Sequence, residues 1–344
     1  MFRQINFNSQ EYQFHKRPWL RVAGLMLVLI LAISAANYFA QLSARKAIVV
    51  DSQPSTAKNT RGSLWSSIAR ALPIAKDITD DPQYVLPKAE PNRTDILILG
   101  VRGKEDPDGG LLSDTMMLLS FDKATNHASL VSIPRDLYIR INSKHSGRVN
   151  TAYEYLGLKG TRLLLSRVTG VYIDNIVIFD FEAFQHIVDA VDGIDVTLEK
   201  PFEETTQWGY TFSLPAGQNH LDGQTALYYV RSRYSTSDFD RARRQQQVII
   251  ALKNKIQSLN LLTNPVRALE MVTAIKSDVT TDIDIFDINS LLDLAQNLSP
   301  ATIRREVITT DNLLYDTYIN GAYVLLPKGD SFSELKKLFK DSLL

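Results

Sequence analysis

Residues 95–133 read DILILGVRGKEDPDGGLLSDTMMLLSFDKATNHASLVSI, three apolar runs of strand length separated by turn-forming residues. DILILGV (95–101) leads into RGKEDPDGGLLSD (102–114), a loop rich in Gly, Asp and Pro in which Asp106, Asp108 and Gly109 read as a turn. TMMLLSF (115–121) and HASLVSI (127–133) are then joined by DKATN, a composition suited to a tight connection between strands.

Outward from this stretch, strands and helices alternate. YEYLGLKGTRLLLSRV (153–168) has helical spacing, NIVIF (175–179) reads as a strand, FEAFQHIVDAV (181–191) as a helix and IDVTL (194–198) as a strand. GQTALYYVRS (223–232), DRARRQQQVIIALKNKIQSL (240–259), PVRALEMVTAI (265–275) and FDINSLLDLAQNL (286–298) are helical in pattern. A late strand, REVITT (305–310), and a helix, SFSELKKLFK (331–340), follow. This alternation predicts one α/β domain over 93–344, its sheet covered by helices on both faces.

Toward the N-terminus, VAGLMLVLILAISAANYFAQLSA (22–44) carries no charge and is long enough to cross a bilayer, which takes about 20 residues. Lys16, Arg17 and Arg21 precede it and Arg45 and Lys46 follow it, with Trp19 and Tyr38 placed as interface anchors. The chain therefore divides into a cytoplasmic tail (1–18), a transmembrane helix (19–44), an extracytoplasmic tether (45–92) and the α/β domain. A cleaved signal peptide is the rival reading, but its apolar core is shorter, about 7–15 residues. The tether is turn-rich, with one short helical pattern at SLWSSIARALPIA (63–75).

Lys+Arg and Asp+Glu both number 38 in the 344 residues, which argues against a protein that coats nucleic acid by bulk charge. No cysteine is present, so disulfides, thiol nucleophiles and Cys-based metal sites are excluded. The GxSxG, GxxxxGK[ST] and HExxH motifs are missing, and the five histidines (His15, His127, His145, His186, His220) show no ligand spacing. His186 falls in mid-helix, where packing is the expected role.

Against that neutral background, RSRYSTSDFDRARRQQQ (231–247) concentrates Arg231, Arg233, Arg241, Arg243 and Arg244. Asp238 or Ser237 suits the N-cap of a helix running to about Leu259. Arg241, Arg244 and Gln245 fall at i, i+3 and i+4, on one face of its first turns. Cations at the positive end of a helix dipole are unfavourable unless an anion is present. Internal salt bridges to Asp238 and Asp240, or a solvated basic patch, would account for the cluster. The alternative is an oxyanion site, with guanidinium forks gripping phosphate and helix N–H groups adding to it. Two further candidates are Arg135 and Asp136 in SIPRD (132–136), directly after an apolar run, and Asp114 in SDT (113–115) at the end of the glycine-rich loop.

Taken in order, SDTMMLLSFD, VSIPRDLYIRI, RVNTAYEYLG, FEAFQHIVDAVDGIDV, LPAGQNHLDGQTALYYVRSR and SDFDRARRQQ resemble the LytR–CpsA–Psr family, densely from Asp95 to about Ile256 and more loosely beyond, NLLYDTYINGAYVLLPKGD included. The resemblance implies a central, mainly mixed β-sheet flanked by helices on both faces, with an apolar cavity for a lipid tail. It implies a membrane-anchored phosphotransferase, N-terminus inside and catalytic domain outside the cell. Such an enzyme moves a glycopolymer (teichoic acid, capsule or similar) from a polyprenyl-pyrophosphate carrier to a peptidoglycan hydroxyl, through a phosphodiester. Its partners would be the lipid-linked glycopolymer, peptidoglycan and membrane, not nucleic acid. Matched residue by residue, Arg135, Arg231, Arg233, Arg241, Arg244 and Gln245 would bind the pyrophosphate, and Asn150 would line the same pocket. Asp114 would help hold Mg²⁺. Asp238 would orient the arginines or assist in activating the acceptor hydroxyl. Asp114, Arg135, Asp238 and Arg241 form the expected catalytic set.

Two positions depart from the family pattern: Arg102 stands where an Asp usually completes the Mg²⁺ site, and Leu112 where an Arg usually precedes SDT. Asp106 or Asp108 would be the compensating carboxylate, or Arg102 would replace the metal's charge. The rival functions are a polyprenyl-pyrophosphate-binding protein or pyrophosphatase without transfer, and a membrane-bound transcriptional regulator.

Overall fold

A computed structural model describes residues 86–103, 110–142, 145–259, 279–283 and 303–344. The first part of the domain contains β1 (Arg93–Gly103), β2 (Gly110–Asp122), β3 (His127–Ser132), β4 (Tyr138–Arg140), β5 (Ser146–Arg148), α1 (Ala152–Thr169), β6 (Asn175–Phe179) and α2 (Phe181–Ala190). Next come β7 (Ile194–Leu198), β8 (Phe202–Glu204), β9 (Phe212–Leu214), β10 (Gly217–Leu221), α3 (Gly223–Arg231) and α4 (Asp238–Ser258). Beyond these lie β11 (Val279–Thr281), β12 (Ile303–Val307), β13 (Leu314–Ile319), β14 (Ala322–Pro327) and α5 (Ser333–Asp341).

Six strands form the central sheet in the order β11-β6-β1-β2-β3-β12. β1 runs parallel to β6, and β3 to β12; the other three pairs are antiparallel, so the sheet is mixed. β1 explains why the run 96–101 is apolar throughout rather than alternating. Ile96 joins the core beneath α2, α3 and α4, while Leu97, Leu99 and Val101 join the core beneath α1 and α5. A strand covered on both faces has no solvent side to make polar.

Local chemistry sets the boundaries. Asp122 closes the DKATN turn, its Oδ1 accepting from the amides of Ala124 (2.7 Å) and Thr125 (3.2 Å). Asp180 caps α2 by accepting from the Ala183 amide at 2.9 Å, and Asp222 caps α3 by accepting from Thr225 at 2.8 Å. At α4 the cap is Ser237, not Asp238. The Asp240 amide donates to Ser237 Oγ (3.1 Å) and the Ser237 amide donates back to Asp240 Oδ2 (3.2 Å), a reciprocal capping box. α1 is interrupted at Gly157, whose backbone (φ 63°, ψ −172°) is not helical, and ends on left-handed Gly170.

The late strand runs over Ile303–Val307 rather than 305–310, because Thr309 turns out of the ladder with its amide donating to Asn312 Oδ1 at 2.7 Å. His186 is also corrected: it lies on the exposed side of α2, 4.0 Å from Glu182, and not in the packed core. The transmembrane helix expected over 19–44, the helices at 63–75, 265–275 and 286–298, the Asp106/Asp108 turn and most of the tether lie outside the described residues. Among the described residues no helix is long and apolar enough to cross a membrane.

Candidate active site

Antiparallel pairing brings the C-terminal end of β1, the start of β2 and the loop after β3 to one edge of the sheet. That edge carries Arg102, Asp114 and Arg135, and the N-terminal end of α4 closes over it with Asp238, Arg241 and Gln245. Strand ends are where α/β folds gather ligand groups.

Arg135 is the hub. Its Nη1 donates to Asp114 Oδ1 at 2.7 Å and its Nε to Asp238 Oδ2 at 2.8 Å, while Asp136 Oδ2 lies at 3.6 Å. Arg241 Nη2 reaches the Asp114 carbonyl at 3.3 Å and Asp238 Oδ2 at 3.5 Å. Arg102 Nε stands 3.4 Å from Asp114 Oδ2. Burial alone would raise the Asp114 carboxyl, but Arg135, Arg241 and Arg102 outweigh it and hold it below the usual carboxylate range. Arg241 is only 6% exposed; burial, with repulsion from Arg135 and Arg233, lowers its pKa against the pull of Asp238 and Asp114. A cation buried this deeply has lost most of its solvation, and an incoming anion would offset that cost.

Two cavities meet at this network. The first, about 250 Å³, has Phe179, Phe184, Leu227, Val230 and Ile249 in its lining. Arg102, Arg231, Arg233 and Arg241 line it too, with Trp208 and Gln207. The second, about 320 Å³, lies along the IPRD loop and the first turn of α4. Asp114, Arg241 and Gln245 belong to both.

The structure therefore brings together Asp114, Arg135, Arg231, Arg233, Arg241, Gln245 and Asp238, and separates two expected members. Arg244 points away: it donates to the carbonyls of Tyr229 (3.0 Å) and Ser232 and to Thr236 Oγ1 (3.2 Å), with its guanidinium 4.8 Å from the Phe202 ring centre. It lines neither cavity and fastens the segment that carries Arg231 and Arg233. The helical offset explains this: Arg241 and Gln245, four apart, look into the site, while Arg244 turns toward the end of α3. Asn150 is buried behind Arg135, its amide donating to the Arg135 carbonyl at 3.3 Å, and lines neither cavity. Leu112 is exposed on β2 and contributes no charge.

Three residues not singled out from the sequence shape the arginine segment. The Glu204 carboxylate accepts from the amides of Tyr234 (2.9 Å) and Ser235 (3.0 Å) and from Ser235 Oγ (2.9 Å). Burial opposes its charge, but these bonds and those from Thr206 and Gln207 take its pKa down to about 2. Gln207 accepts from the Arg233 amide at 2.8 Å and donates to the Arg231 carbonyl at 3.1 Å. Trp208 donates to Ser232 Oγ at 3.1 Å, and the Arg231 guanidinium lies 3.9 Å from the Phe181 ring centre and 5.3 Å from that of Trp208. Polar residues bonding to backbone 24–31 positions away leave no local pattern to read.

Of the carboxylates expected at a Mg²⁺ site, Asp114 has both oxygens facing guanidinium groups, while Asp106 and Asp108 lie outside the described residues, among which no group of three His, Asp or Glu stands close enough together to hold a metal. What the edge does offer is an amphiphilic cavity: apolar walls for a hydrocarbon chain and arginines for an anionic head.

A sequence model of the LytR_cpsA_psr family matches residues 65–341. The chain is 29% identical over 334 residues to a polyisoprenyl-teichoic acid–peptidoglycan teichoic acid transferase, TagU, of Oceanobacillus iheyensis, covering 93% of each sequence. It is 28% identical over 286 residues to TagU of Bacillus subtilis, covering 81% of this chain and 89% of that one. The crystal structure of B. subtilis TagV has the same fold, with a TM-score of 0.60 at 24% identity over 74% of this chain and 98% of that one.

Proposed function

The chain belongs to the LytR_cpsA_psr family, and on that premise we propose that it is a phosphotransferase moving a glycopolymer, such as a teichoic acid, from a polyprenyl-pyrophosphate carrier to a peptidoglycan hydroxyl. The observation that carries this reading is the first cavity, lined both by apolar side chains and by Asp114, Arg102, Arg231, Arg233 and Arg241. A lipid pyrophosphate is an apolar chain ending in closely spaced negative charge. Arg241 and Gln245 face its head from α4, and Arg231 and Arg233 from the segment after α3. Asp114 and Asp238 hold Arg135 and Arg241 in place.

Phosphoryl transfer depends on neutralised non-bridging oxygens and in-line placement more than on a covalent nucleophile. The acceptor oxygen bonds to the phosphorus nearer the glycopolymer while Asp238 takes the hydroxyl proton. The bond from that phosphorus to the bridging oxygen breaks, and polyprenyl phosphate leaves with the electron pair. Guanidinium groups meet the charge throughout, and no step is assigned to Mg²⁺. Residues 19–44 would anchor the chain, N-terminus inside, with the domain outside the membrane.

The test uses the full chain in detergent with a polyprenyl-pyrophosphate-linked glycopolymer and soluble glycan strands, with Mg²⁺ or with EDTA, followed by mass spectrometry. Release of polyprenyl phosphate together with glycan-linked phosphodiester, lost in Arg241→Ala and Asp114→Ala, supports the reading. Binding of the lipid without cleavage in every condition overturns it in favour of a carrier-binding protein.

A further inference from the structure

The second cavity has a chemistry of its own. Of the charged residues lining it, Asp114, Asp136 and Asp238 are carboxylates and only Arg135 and Arg241 are cationic, so it suits a neutral ligand better than a second anion. All three carboxylates pair with Arg135, but Asp238 is the most open to a ligand, 32% exposed against 8% for Asp136 and 19% for Asp114.

The far wall of this cavity is the β13–β14 hairpin, which contributes Tyr323 and Leu325. The hairpin is tied to the IPRD loop, because the Leu325 amide donates to the Asp136 carbonyl at 2.9 Å and Leu325 bridges to Leu137. Cross-strand register pairs Tyr318 with Tyr323 and Asp316 with Leu325, so these four share the face that meets the cavity. Tyr318 is 70% exposed and packs edge-on against Tyr323, their ring centres 5.9 Å apart. The Tyr323 phenol can donate a hydrogen bond, as any tyrosine can at neutral pH, and burial first, then Asp316, Asp136 and Asp238, raise its pKa further. Exposed aromatic faces beside a carboxylate, leading into a pocket with hydroxyl-binding groups, match a polysaccharide: apolar sugar faces on the rings and hydroxyls on the polar groups.

We propose that the second cavity and the Tyr318–Tyr323 face of the hairpin bind the acceptor glycan strand, and present one sugar hydroxyl to Asp238 where this cavity meets the carrier's pyrophosphate at Asp114, Arg241 and Gln245. This rests on the transferase reading for its chemistry, but the binding itself is measured separately. Donor and acceptor then approach through two cavities that meet at Asp114, Arg241 and Gln245, so that the hydroxyl and the phosphorus can come into contact there, as in-line displacement needs.

Soluble, uncrosslinked peptidoglycan glycan strands are titrated onto the full chain in detergent without any donor, with Tyr318→Ala and Tyr323→Phe beside the wild type. Tyr318, being exposed, tests the surface without a risk to folding. Glycan affinity falls about tenfold in Tyr318→Ala, as loss of one aromatic contact does, while affinity for the polyprenyl-pyrophosphate lipid is unchanged. In the transfer assay the same variant raises the acceptor KM and leaves kcat near wild type. Glycan binding by the wild type that Tyr318→Ala does not weaken overturns the proposal, as does equal loss of lipid binding. Should no transfer be found with any acceptor, the glycan titration still decides: Tyr318-dependent binding upholds the site, and no binding removes it.

Discussion

Each end of β1 lies beside an arginine–aspartate constellation, and the two behave oppositely. At the start, Arg93 Nε meets Asp95 Oδ2 at 2.7 Å and Nη2 meets Oδ1 at 3.1 Å, with Ser120 also bonded to Asp95. Arg93 further donates to the carbonyls of Phe339 (2.8 Å) and Lys340 (3.2 Å). The two side chains are 7% and 1% exposed, and every strong donor points into protein. At the other end, Arg102, Asp114 and Arg135 retain 30%, 19% and 17% exposure and front two cavities. Burial wins at Asp95 and raises its carboxyl; the three arginines win at Asp114 and lower it. The first constellation is closed and holds the fold; the second fronts open space and can hold something else.

Arg93→Ala separates the two most sharply. Removing one partner strands a buried carboxylate, so stability falls by about 3–5 kcal/mol in urea unfolding, with transfer per folded molecule unchanged. An activity loss larger than the folded fraction explains would dissolve the distinction. Arg241→Ala should do the reverse: transfer falls about 10²–10³-fold, as when a charge-stabilising donor is removed, and the unfolding midpoint moves far less than for Arg93→Ala.

Glu204→Gln tests a group between these extremes, buried yet serving the arginine segment. Its carboxyl is held down to about 2 from 4.5, so the stability it contributes is complete above pH 4.5 and lost as pH falls toward 2. The variant loses about 1–3 kcal/mol at neutral pH, flattens that acid limb in pH-resolved unfolding, and weakens lipid binding through Arg233. The smallest effect is expected from Ser237→Ala, about 1 kcal/mol from the lost cap, measured by thermal unfolding, with a modest drop in lipid affinity as Arg241 loses its rigid base.

Much of this was legible in advance because it is written locally. The apolar runs of β1, β2 and β3, the cap of α4 at Ser237 and the helical offset of Arg241 and Gln245 need only neighbouring residues. Arg244 was misplaced because a shared helix face spans an arc wide enough to look at two different neighbours. The Glu204–Gln207–Trp208 support and the tyrosine face of β13–β14 depend on partners distant in sequence or across a hairpin, and no spacing announces them. Arg102 was visible as a departure; that it stands against Asp114 is a fact of the bulged pairing near Gly100 and Val101.

Arg93 has one more consequence, and it concerns time. Its bonds to Phe339 and Lys340 join groups 246 and 247 residues apart, and β3 must pair with β12 across a comparable span. Contacts of such separation form late and slowly, since loop closure precedes any gain from them. The central strand therefore waits, half-covered, until the last helix of the domain has been synthesised. A chain that folds only once that helix has emerged stays extended, and open to chaperones and proteases, throughout its synthesis.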